Sequence, residues 1–231
     1  MKIGMILLCR YDSKRLPGKI LKKIKGKRII EYIIDKLKSV GNDYPIYVAT
    51  SNEESDDPII NFCKNKSIPF FRGSKSNVAS RFLQCALKMN IDYAIRINGD
   101  NLFTDSNIIL DMIKLTKTEK WSFLSNIYDR TFPIGVSVEI VNVELLKNKI
   151  SLFNQYEREH VMPYFYKNLD ESQVYKYKNK NYSDDFQIKL AIDDKTDFEF
   201  ASKIIDSMDY SPQSYSITEI VELIATNSIT A

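Results

Sequence analysis

Cysteines are scarce in this sequence, and none forms a pair with the spacing of a metal site. Cys9, Cys63 and Cys85 are the three cysteines in 231 residues, each inside an apolar stretch and none in a C-x-x-C pattern. An odd and isolated set of this kind supports neither a disulfide framework nor a zinc site. It predicts reduced, buried thiols, as in a cytosolic protein.

Long apolar runs and a strong excess of either charge are also lacking. The opening run, IGMILLC, is too short for the apolar core of a signal peptide and is followed at once by charge. No later run approaches membrane-spanning length. Lys and Arg number 33 against 30 Asp and Glu, a formal net charge of +3. We therefore expect a cytoplasmic protein with no membrane partner and no general affinity for nucleic acid.

Strand-like and helix-like segments alternate along most of the chain. The length suits one sizeable α/β core and is short for two, so we predict a single domain over 1–231. Short apolar runs predict strands at 2–8, 45–50, 68–71 and 92–99. Helical spacing predicts helices at 28–40, from about 56, at 77–89 with Ser76 as N-cap, and at 106–117. Such alternation is typical of parallel strands joined by crossover helices, and these sheets place their sites at the carboxyl ends of the strands.

The segment from about residue 126 to about residue 180 departs from this alternation. It carries an apolar run at 135–141, a predicted polar-aromatic helix at 157–168 and a strand-like stretch at 174–180. We interpret it as an extra lobe or a dimerisation excursion. Beyond it we predict a strand at 187–193 that rejoins the sheet, a helix at 197–208, and a last helix that begins with the capping-box spacing of Ser216 and Glu219.

A basic loop follows the first predicted strand. The stretch RYDSKRLPGK holds Arg10, Lys14, Arg15 and Lys19 around a Pro-Gly turn. It is not a Walker P-loop, because Gly18-Lys19 is followed by isoleucine, and the chain has no G-x-G-x-x-G fingerprint. From charge alone, a solvated surface loop is the commoner interpretation. The place of the loop after a parallel strand favours the alternative, in which its cations converge on a polyphosphate.

Two acidic loops favour the polyphosphate interpretation. Asp100 follows the fourth predicted strand, in RINGDN, and Asp193 and Asp194 follow another, in LAIDD. Taken singly, each aspartate is more often a turn or helix-cap residue. Carboxylates from two strand ends that face a basic loop from a third are what a Mg²⁺-nucleotide site requires, because carboxylates bind the metal and cations bind the remaining phosphate oxygens.

Seven blocks of the chain, in order, resemble the spore coat polysaccharide biosynthesis protein F group of cytidylyltransferases, which is related to the CMP-Kdo and CMP-sialic acid synthetases. The resemblance runs from Met1 to about residue 208, and its R-x-x-S-x-R-L-P-G-K and Phe-Arg-Gly-Ser elements are specific. The blocks are CRYDSKRLPGKILKKIKGKRIIEYII, VATSNEESDDPI, FFRGSKSNVASRF, RINGDN, SNIYDRTFPIGVSVEI, EREHVMPYF and LAIDD.

The resemblance implies a fold and a reaction. The fold is that of the nucleotide-diphospho-sugar transferases, a Rossmann-like three-layer α/β/α sandwich with a mixed sheet and a small dimerisation extension, which makes a homodimer the expected assembly. The reaction is transfer of CMP from CTP to an oxygen of a small-molecule acceptor, with release of pyrophosphate and with Mg²⁺ as cofactor. Two alternatives stay open: a nucleotide-sugar-dependent glycosyltransferase of similar fold, and a non-catalytic nucleotide-binding protein.

The resemblance also assigns nucleotide and metal residues by position. Asp100 and Asp193 match the metal aspartates, and Arg10, Arg15, Lys19 and Asp100 are the expected catalytic residues. Nucleotide binding is expected from three groups of residues. The phosphate loop is matched by Arg10, Ser13, Arg15 and Lys19, and the cytosine and ribose region by Arg72, Gly73, Ser74, Asn77 and Arg81. The remaining expected nucleotide contacts are Leu8, Asn98 and Gly99.

The acceptor side is less sharply defined by the resemblance. Its expected contacts are Glu139, Glu157, Arg158, His160 and, in YDRTFP, Tyr128, Arg130 and Thr131. A lone histidine in a helix is more often a packing residue, whereas the resemblance implies a place for His160 in the acceptor pocket or the subunit interface, and a general base is a further role open to it. Relatives often carry aspartates where this chain has Ile134 and Ser137, and Cys-Pro where it has Asn101-Leu102. The acceptor is therefore left open among a Kdo-like or nonulosonic sugar acid, another polyol, a phosphosugar and a phosphonate.

Overall fold

The computed structural model describes residues 1–119, 121–179 and 188–230. The strands of these residues are β1 (Ile3–Leu8), β2 (Lys23–Ile24), β3 (Lys27–Arg28), β4 (Ile46–Ser51), β5 (Phe70–Gly73), β6 (Tyr93–Asn98), β7 (Phe123–Ser125), β8 (Glu139–Asn142) and β9 (Val174–Lys176). The α-helices are α1 (Ile29–Lys38), α2 (Asp57–Asn65), α3 (Val78–Met89), α4 (Ser106–Thr118), α5 (Val143–Lys149), α6 (Gln155–His160), α7 (Pro163–Asn168), α8 (Lys195–Asp206) and α9 (Ile217–Thr226).

Seven of the described strands form one mixed sheet in the order β5-β4-β1-β6-β8-β7-β9. Neighbouring strands from β5 to β6 are parallel, β8 runs antiparallel to both β6 and β7, and β7 is parallel to β9. Strands β2 and β3 form a separate antiparallel pair. The predicted mixed sheet is confirmed, and β8 and β9 of the segment from 126 to 179 belong to it.

The sheet is buried on both faces. Along β1, Ile3, Met5 and Leu7 enter one apolar cluster with residues of α1, α2, α4, α8 and α9. Ile6 and Leu8 enter a second cluster with residues of α3, α5 and α7. Successive side chains of a strand point to opposite faces, so continuous apolar runs such as IGMILL suit a strand that is covered on both sides. The result is the predicted three-layer α/β/α sandwich.

Two predicted helix starts have different outcomes. At α9 the capping box is confirmed, because Glu219 Oε2 accepts from Ser216 N (2.7 Å) and Ser216 Oγ accepts from Glu219 N (3.3 Å). At α3 the predicted N-cap Ser76 is wrong. Asn77 is the cap, since its Oδ1 accepts a hydrogen bond from Ser80 N at 2.9 Å. Ser and Asn are comparable N-caps, so only the backbone geometry decides between such neighbours.

The single helix predicted at 157–168 is also wrong, because the structure has two helices there. Helix α6 ends at His160, Val161 follows with a φ of 70°, and α7 begins at Pro163. A positive φ in a β-branched residue cannot continue a right-handed helix. Proline lacks an N–H and suits a first helical turn, so the chain restarts at Pro163.

The strand predicted at 187–193 is not found in its described part, 188–193. Ile134 and Lys189 make an isolated bridge, and the segment runs beside Gly135 without a regular ladder. A Cβ on Gly135 would lie 2.3 Å from Ala191 N, and the φ of this glycine is 102°, so the approach depends on glycine. Gln187, at the start of the prediction, lies outside the described residues, as does Lys180 at the end of the predicted stretch 174–180, of which β9 covers Val174–Lys176.

All three cysteines are free and buried, as predicted. Among the described residues, none of the helices has both the length and the apolar character needed to cross a bilayer.

Candidate active site

A cleft of about 680 Å³ opens at the carboxyl ends of β1 and β6. It is strongly cationic, since seven of its lining side chains are Lys or Arg and four are carboxylates. A concave surface with this balance attracts polyanions. Its described lining residues are Leu8, Cys9, Arg10, Asp12, Ser13, Lys14, Arg15, Lys19, Ile20, Lys75, Val78, Arg81, Arg96, Asn98, Gly99, Asp100, Glu159, His160 and Asp193.

The basic loop after β1 is folded back on itself around Tyr11. Gly18 N and Ser13 N both donate to Tyr11 O, at 2.8 and 2.9 Å. Gly18 has a φ of 68°, a left-handed conformation that glycine adopts without steric cost, and a Cβ there would lie 3.0 Å from the Tyr11 ring. The turn brings Arg10, Ser13, Lys14, Arg15 and Lys19 to one wall of the cleft.

Asp56, which is fully buried, anchors this loop to the sheet. Its Oδ1 accepts from Tyr11 N at 2.7 Å, and its Oδ2 accepts from Thr50 Oγ1 (2.8 Å) and Ser51 N (2.9 Å). Burial by itself would raise the pKa of this carboxyl, but the hydrogen bonds from Ser51, Tyr11 and Thr50 together hold the pKa of Asp56 below its usual value. Asp56 therefore stays charged and fixes where the loop leaves the strand.

Lys19 joins the basic loop to the two acidic loops. Its Nζ lies 3.8 Å from Asp100 Oδ2 and 3.7 Å from Asp193 Oδ1, and it donates to the carbonyl of Ile192 at 2.5 Å. Arg15 Nη2 lies 3.3 Å from Asp193 Oδ2. Burial raises the pKa of Asp100, the Lys19 charge opposes that rise and the Asp193 charge adds to it. The predicted aspartates and cations thus meet in one place.

The two acidic loops are held close by backbone contacts. Ile192 N donates to Asp100 O at 3.0 Å. A Cβ on Gly99 would lie 2.6 Å from the Cβ of Cys9, so this glycine lets the Asp100 loop also approach the start of the basic loop. On the other loop, Asp197 Oδ2 accepts from Asp193 N (2.8 Å) and Asp194 N (3.2 Å). Asp194 caps α8 by accepting from Asp197 N, so Asp193 is the aspartate of this loop that reaches the cleft.

This arrangement fits a hydrated divalent cation that is completed by a ligand. Within the described ranges, no three Asp, Glu, His or Cys side chains are grouped closely enough to cage a metal. Mg²⁺ is usually held by one or two carboxylates together with substrate phosphates and water, and hard oxygen donors suit it. The pair Asp100 and Asp193 meets that requirement.

Arg81 forms the floor of the cleft on the α3 side. It is 2% exposed, and its Nη1 donates to Ser74 O at 2.7 Å. Burial lowers the pKa of Arg81 to about 10, and its Nε has no partner among the described residues. A Cβ on Gly73 would lie 2.9 Å from Arg81 Cγ, so the glycine leaves room for the arginine. Of the residues expected at the cytosine and ribose, Arg81 is the one that lines the cleft.

The others of that group lie outside the cleft lining. Arg72 Nη1 pairs with Asp57 at 2.7 Å, and its remaining nitrogens donate to backbone carbonyls of Ser51 (3.0 Å) and Glu53 (2.7 Å). Asn77 is the cap of α3, and Ser74 contributes its carbonyl to Arg81. Leu8, Asn98 and Gly99, by contrast, line the cleft as expected contacts should.

The expected acceptor residues are divided. His160 lines the cleft, is exposed, and has its ring 4.3 Å from that of Tyr156. Glu157 serves the capping box of α6, where its Oε2 accepts from Asn154 N at 2.9 Å. Neither it nor the exposed Arg158 and Arg130 is in the described lining.

Three further expected acceptor contacts also point elsewhere. Tyr128 packs its ring on Tyr166 (centroids 4.6 Å apart), and Thr131 Oγ1 accepts from the backbone N of Asn179 at 2.8 Å. Glu139 is 1% exposed and contacts Arg96 and Tyr166. None of the three lines the cleft in the described part of the chain.

Several lining residues were missed from the sequence. Asp12 and Lys75 make a 2.5 Å ion pair between the basic loop and the β5–α3 connection, and Glu159 stands beside His160. Arg96 projects into the cleft from the middle of β6. The available signal for it was a charge within the apolar strand run AIRIN, since a buried strand carries an arginine only where something pairs with it.

Comparison with known proteins places these features in a family. The model of the family described as Cytidylyltransferase matches residues 5–220. The chain is similar to spore coat polysaccharide biosynthesis protein SpsF of Bacillus subtilis (strain 168), at 26% identity over 97% of this chain and 95% of the relative. It is also similar to the solved structure of a cytidylyltransferase from Leptospira borgpetersenii, with 32% identity, a TM-score of 0.91, and coverage of 99% of this chain and 95% of that one. A CMP:2-keto-3-deoxy-manno-octonic acid synthetase complexed with CTP shares the fold, with a TM-score of 0.67 at 13% identity over 89% of this chain and 99% of that one.

Proposed function

Because the chain belongs to the cytidylyltransferase family, we propose that it transfers CMP from CTP to a hydroxyl of a small-molecule acceptor, with release of pyrophosphate and with Mg²⁺ as cofactor. The observation that carries this proposal is the meeting of the basic loop with Asp100 and Asp193 through Lys19. A triphosphate needs cations along its length, and a metal shared between triphosphate and protein needs carboxylates at the same point.

The nucleotide then lies along the wall formed by the loop after β1. Arg10, Arg15 and Lys19 neutralise the phosphates, and Ser13 adds a hydroxyl donor. The cytosine end lies toward α3, where Arg81 and the backbone of the β5–α3 connection offer hydrogen-bonding groups. A site built to pair the polar edge of one base rejects a base that leaves those groups unpaired, which supports selection of CTP.

In the reaction, an acceptor oxygen bonds to the α-phosphorus, the bond from that phosphorus to the oxygen bridging to the β-phosphate breaks, and pyrophosphate leaves with the electron pair. The acceptor hydroxyl gives up its proton. Asp100 and Asp193 would hold Mg²⁺, which polarises the phosphate oxygens. Arg15 and Lys19 stabilise the charge that develops on the leaving pyrophosphate, a contribution that depends on their being positioned beforehand by the loop.

In this proposal His160 receives the acceptor proton. It lines the cleft at the end of α6, and a histidine ring nitrogen can accept a proton from a hydroxyl within hydrogen-bond reach. The acceptor classes we propose are a Kdo-like or nonulosonic sugar acid, a phosphosugar or a phosphonate, for surface polysaccharide or glycan synthesis in the cytoplasm.

The experiment is a matrix of donors and acceptors. Pyrophosphate release is measured from CTP, UTP, ATP and GTP with Mg²⁺, against sugar acids, phosphosugars and phosphonates. We expect release from CTP alone, dependent on one acceptor class and abolished by EDTA. CTP binding without release under any combination would support a non-catalytic binding protein. Transfer from a nucleotide sugar, with no release from CTP, would support a glycosyltransferase.

A further inference from the structure

A row of polar side chains crosses three strands beside the cleft. Arg96 of β6 stands opposite Glu139 of β8, and Glu139 stands opposite Ser125 of β7. Neighbouring positions on these strands are apolar and fully buried, among them Ile95, Ile97 and Ile140. Burying charged side chains inside a sheet costs free energy unless each one is paired. A polar atom of this row that has no protein partner therefore indicates where a ligand would bind.

Glu139 is the fixed point of the row. It is 1% exposed, and its Oε2 accepts a hydrogen bond from Arg96 Nη1. Its Oε1 accepts from the Tyr166 hydroxyl at 2.6 Å, and that hydroxyl lies 2.6 Å from Ser125 Oγ. Burial, followed by the charge of Glu139, raises the pKa of Tyr166 and keeps the phenol a neutral donor. Glu139 therefore cannot reach a ligand in the cleft, but it clamps one edge of the Arg96 guanidinium.

The rest of that guanidinium has no protein partner in the described residues. Arg96 Nε is buried without a hydrogen bond, and Nη1 is the nitrogen that bonds to Glu139. The side chain is 15% exposed and lines the cleft together with Glu159 and His160. A guanidinium carries five donors in a planar fork. A buried N–H donor without a hydrogen-bond partner costs free energy, and an oxyanion in the cleft would accept hydrogen bonds from these donors.

Arg96 comes from a different strand than the one that precedes the basic loop. That loop leaves β1, whereas Arg96 projects from the neighbouring strand β6 and is held from the far side by β8. Arg96 lines the same cleft as His160 at the end of α6.

We propose that Arg96 binds an oxyanion group, carboxylate or phosphate, of the acceptor, and that Glu139 and Tyr166 are positioning residues that aim it. This inference rests on the proposed function, because it assigns the second substrate of that same cleft. It names the residue that binds the anionic group of the acceptor and gives Glu139 a role different from direct acceptor contact.

The test compares Arg96→Gln and Arg96→Lys with wild type, and uses Arg28→Gln as matched control. Arg28 pairs with Glu31 at 3.5 Å and lies outside the cleft lining, so the control removes the same charge elsewhere. Because Arg96→Gln leaves Glu139 buried and unpaired, the double variant Arg96→Gln/Glu139→Gln is added to keep the row neutral and hydrogen-bonded.

Two readouts are measured on each variant. The first is calorimetric binding of a 3-deoxy sugar acid, a sugar phosphate and a neutral sugar to the complex with cytidine 5′-(α,β-methylene)triphosphate and Mg²⁺. The second is the dissociation constant of that nucleotide itself. We expect one anion class to bind wild type and the Arg28→Gln control, to bind both Arg96→Gln proteins about 100-fold more weakly, and to bind Arg96→Lys with an intermediate affinity. The nucleotide constant should change less than threefold.

Each other outcome overturns the proposal. Equal anion binding in wild type and the Arg96→Gln proteins, binding of the neutral sugar only, or binding of no probe to wild type would each do so. A loss of nucleotide binding in step with anion binding would make Arg96 a triphosphate residue. These readouts need no turnover, so a lack of pyrophosphate release, which would contradict the proposed function, is read separately from them.

Discussion

At the scale of the residue, Asp100 is the carboxylate on which the proposed chemistry depends most directly. Its Oδ2 lies 3.8 Å from Lys19 Nζ, and its backbone carbonyl accepts a hydrogen bond from Ile192 N. Asp100→Asn should lower turnover about 100- to 1,000-fold at saturating Mg²⁺, since an amide binds a hard cation less strongly and leaves the developing charge less stabilised. Initial rates of pyrophosphate release across a Mg²⁺ titration measure this.

The control for that variant is Asp43→Asn, which makes the same change at an exposed position outside the cleft lining. Asp43→Asn should release pyrophosphate at the wild-type rate across the same Mg²⁺ titration. Unchanged turnover in Asp100→Asn would remove this residue from the metal site and leave Asp193 without its partner.

Asp56 leads to a prediction of pH dependence. Its pKa in the folded protein is below the ordinary value of 3.8, so its ionisation stabilises the fold above about that pH, and this contribution is lost as the pH falls through the lower folded value. Asp56→Asn should reduce the free energy of unfolding by about 1–3 kcal/mol at pH 7, because buried donors lose their acceptor. Urea unfolding of both proteins at several pH values from 7 to 3 measures the difference, which should shrink below pH 3.8.

Asp35→Asn, a change at a partly exposed carboxylate paired with Lys27 on the surface, serves as reference. A difference between Asp56→Asn and wild type that stays constant, or grows, as the solution is acidified would contradict the assignment of a charged Asp56.

Single residues were predictable from the sequence where they sit in loops that follow strands. Arg10, Arg15 and Lys19 form a recognisable motif, and Asp100 and Asp193 follow apolar runs, so their meeting could be expected. Arg96 was missed because an isolated charge within a strand says nothing about which neighbour it faces. Arg96 stands opposite Glu139, 43 positions away in the sequence, only because β6 and β8 are neighbours in the sheet.

At the scale of the element, the start of α3 tests how a helix is capped beside the cleft. Asn77→Ala should lower the free energy of unfolding by about 1 kcal/mol, because Ser80 N loses its acceptor. The matched variant is Ser76→Ala, one position earlier and exposed, which should change it by less than about 0.5 kcal/mol. Chemical unfolding measures both. If Ser76→Ala lowered the free energy of unfolding more than Asn77→Ala does, Ser76 and not Asn77 would be the N-cap of α3.

Regular elements were predictable because their apolar patterns match their surroundings. Strands β1, β4 and β6 are covered on both faces and read as continuous apolar runs, while α4 and α8 show one apolar stripe. The break between α6 and α7 was signalled in the sequence by Pro163, whereas the positive φ of Val161 that accompanies it had no sequence signal. The irregular segment 188–193 was missed for a similar reason, because its path is set by close approach to Gly135 and not by its own alternating pattern.

At the scale of the whole molecule, the homodimer stays a prediction. Two large apolar side chains near the start of α6, Leu152 and Tyr156, are 62% and 57% exposed, and association of two copies would bury such groups. Light scattering after size exclusion should give twice the 26.8 kDa of one chain. A mass of one chain at micromolar concentration would contradict the prediction. The fold itself was within reach of the sequence, because strand and helix alternation admits few topologies.

The hydrogen bond between Ile192 and Asp100 also bears on the order in which the parts of the cleft can assemble while the chain is being synthesised. A nascent chain that has been synthesised to the end of α4, at Thr118, already contains the basic loop, α3 and Asp100, but Asp193 lies about 75 residues further along the sequence. Contacts of such long sequence separation close late in folding. The cations of the basic loop are therefore synthesised well before the Asp193 loop can close onto Lys19.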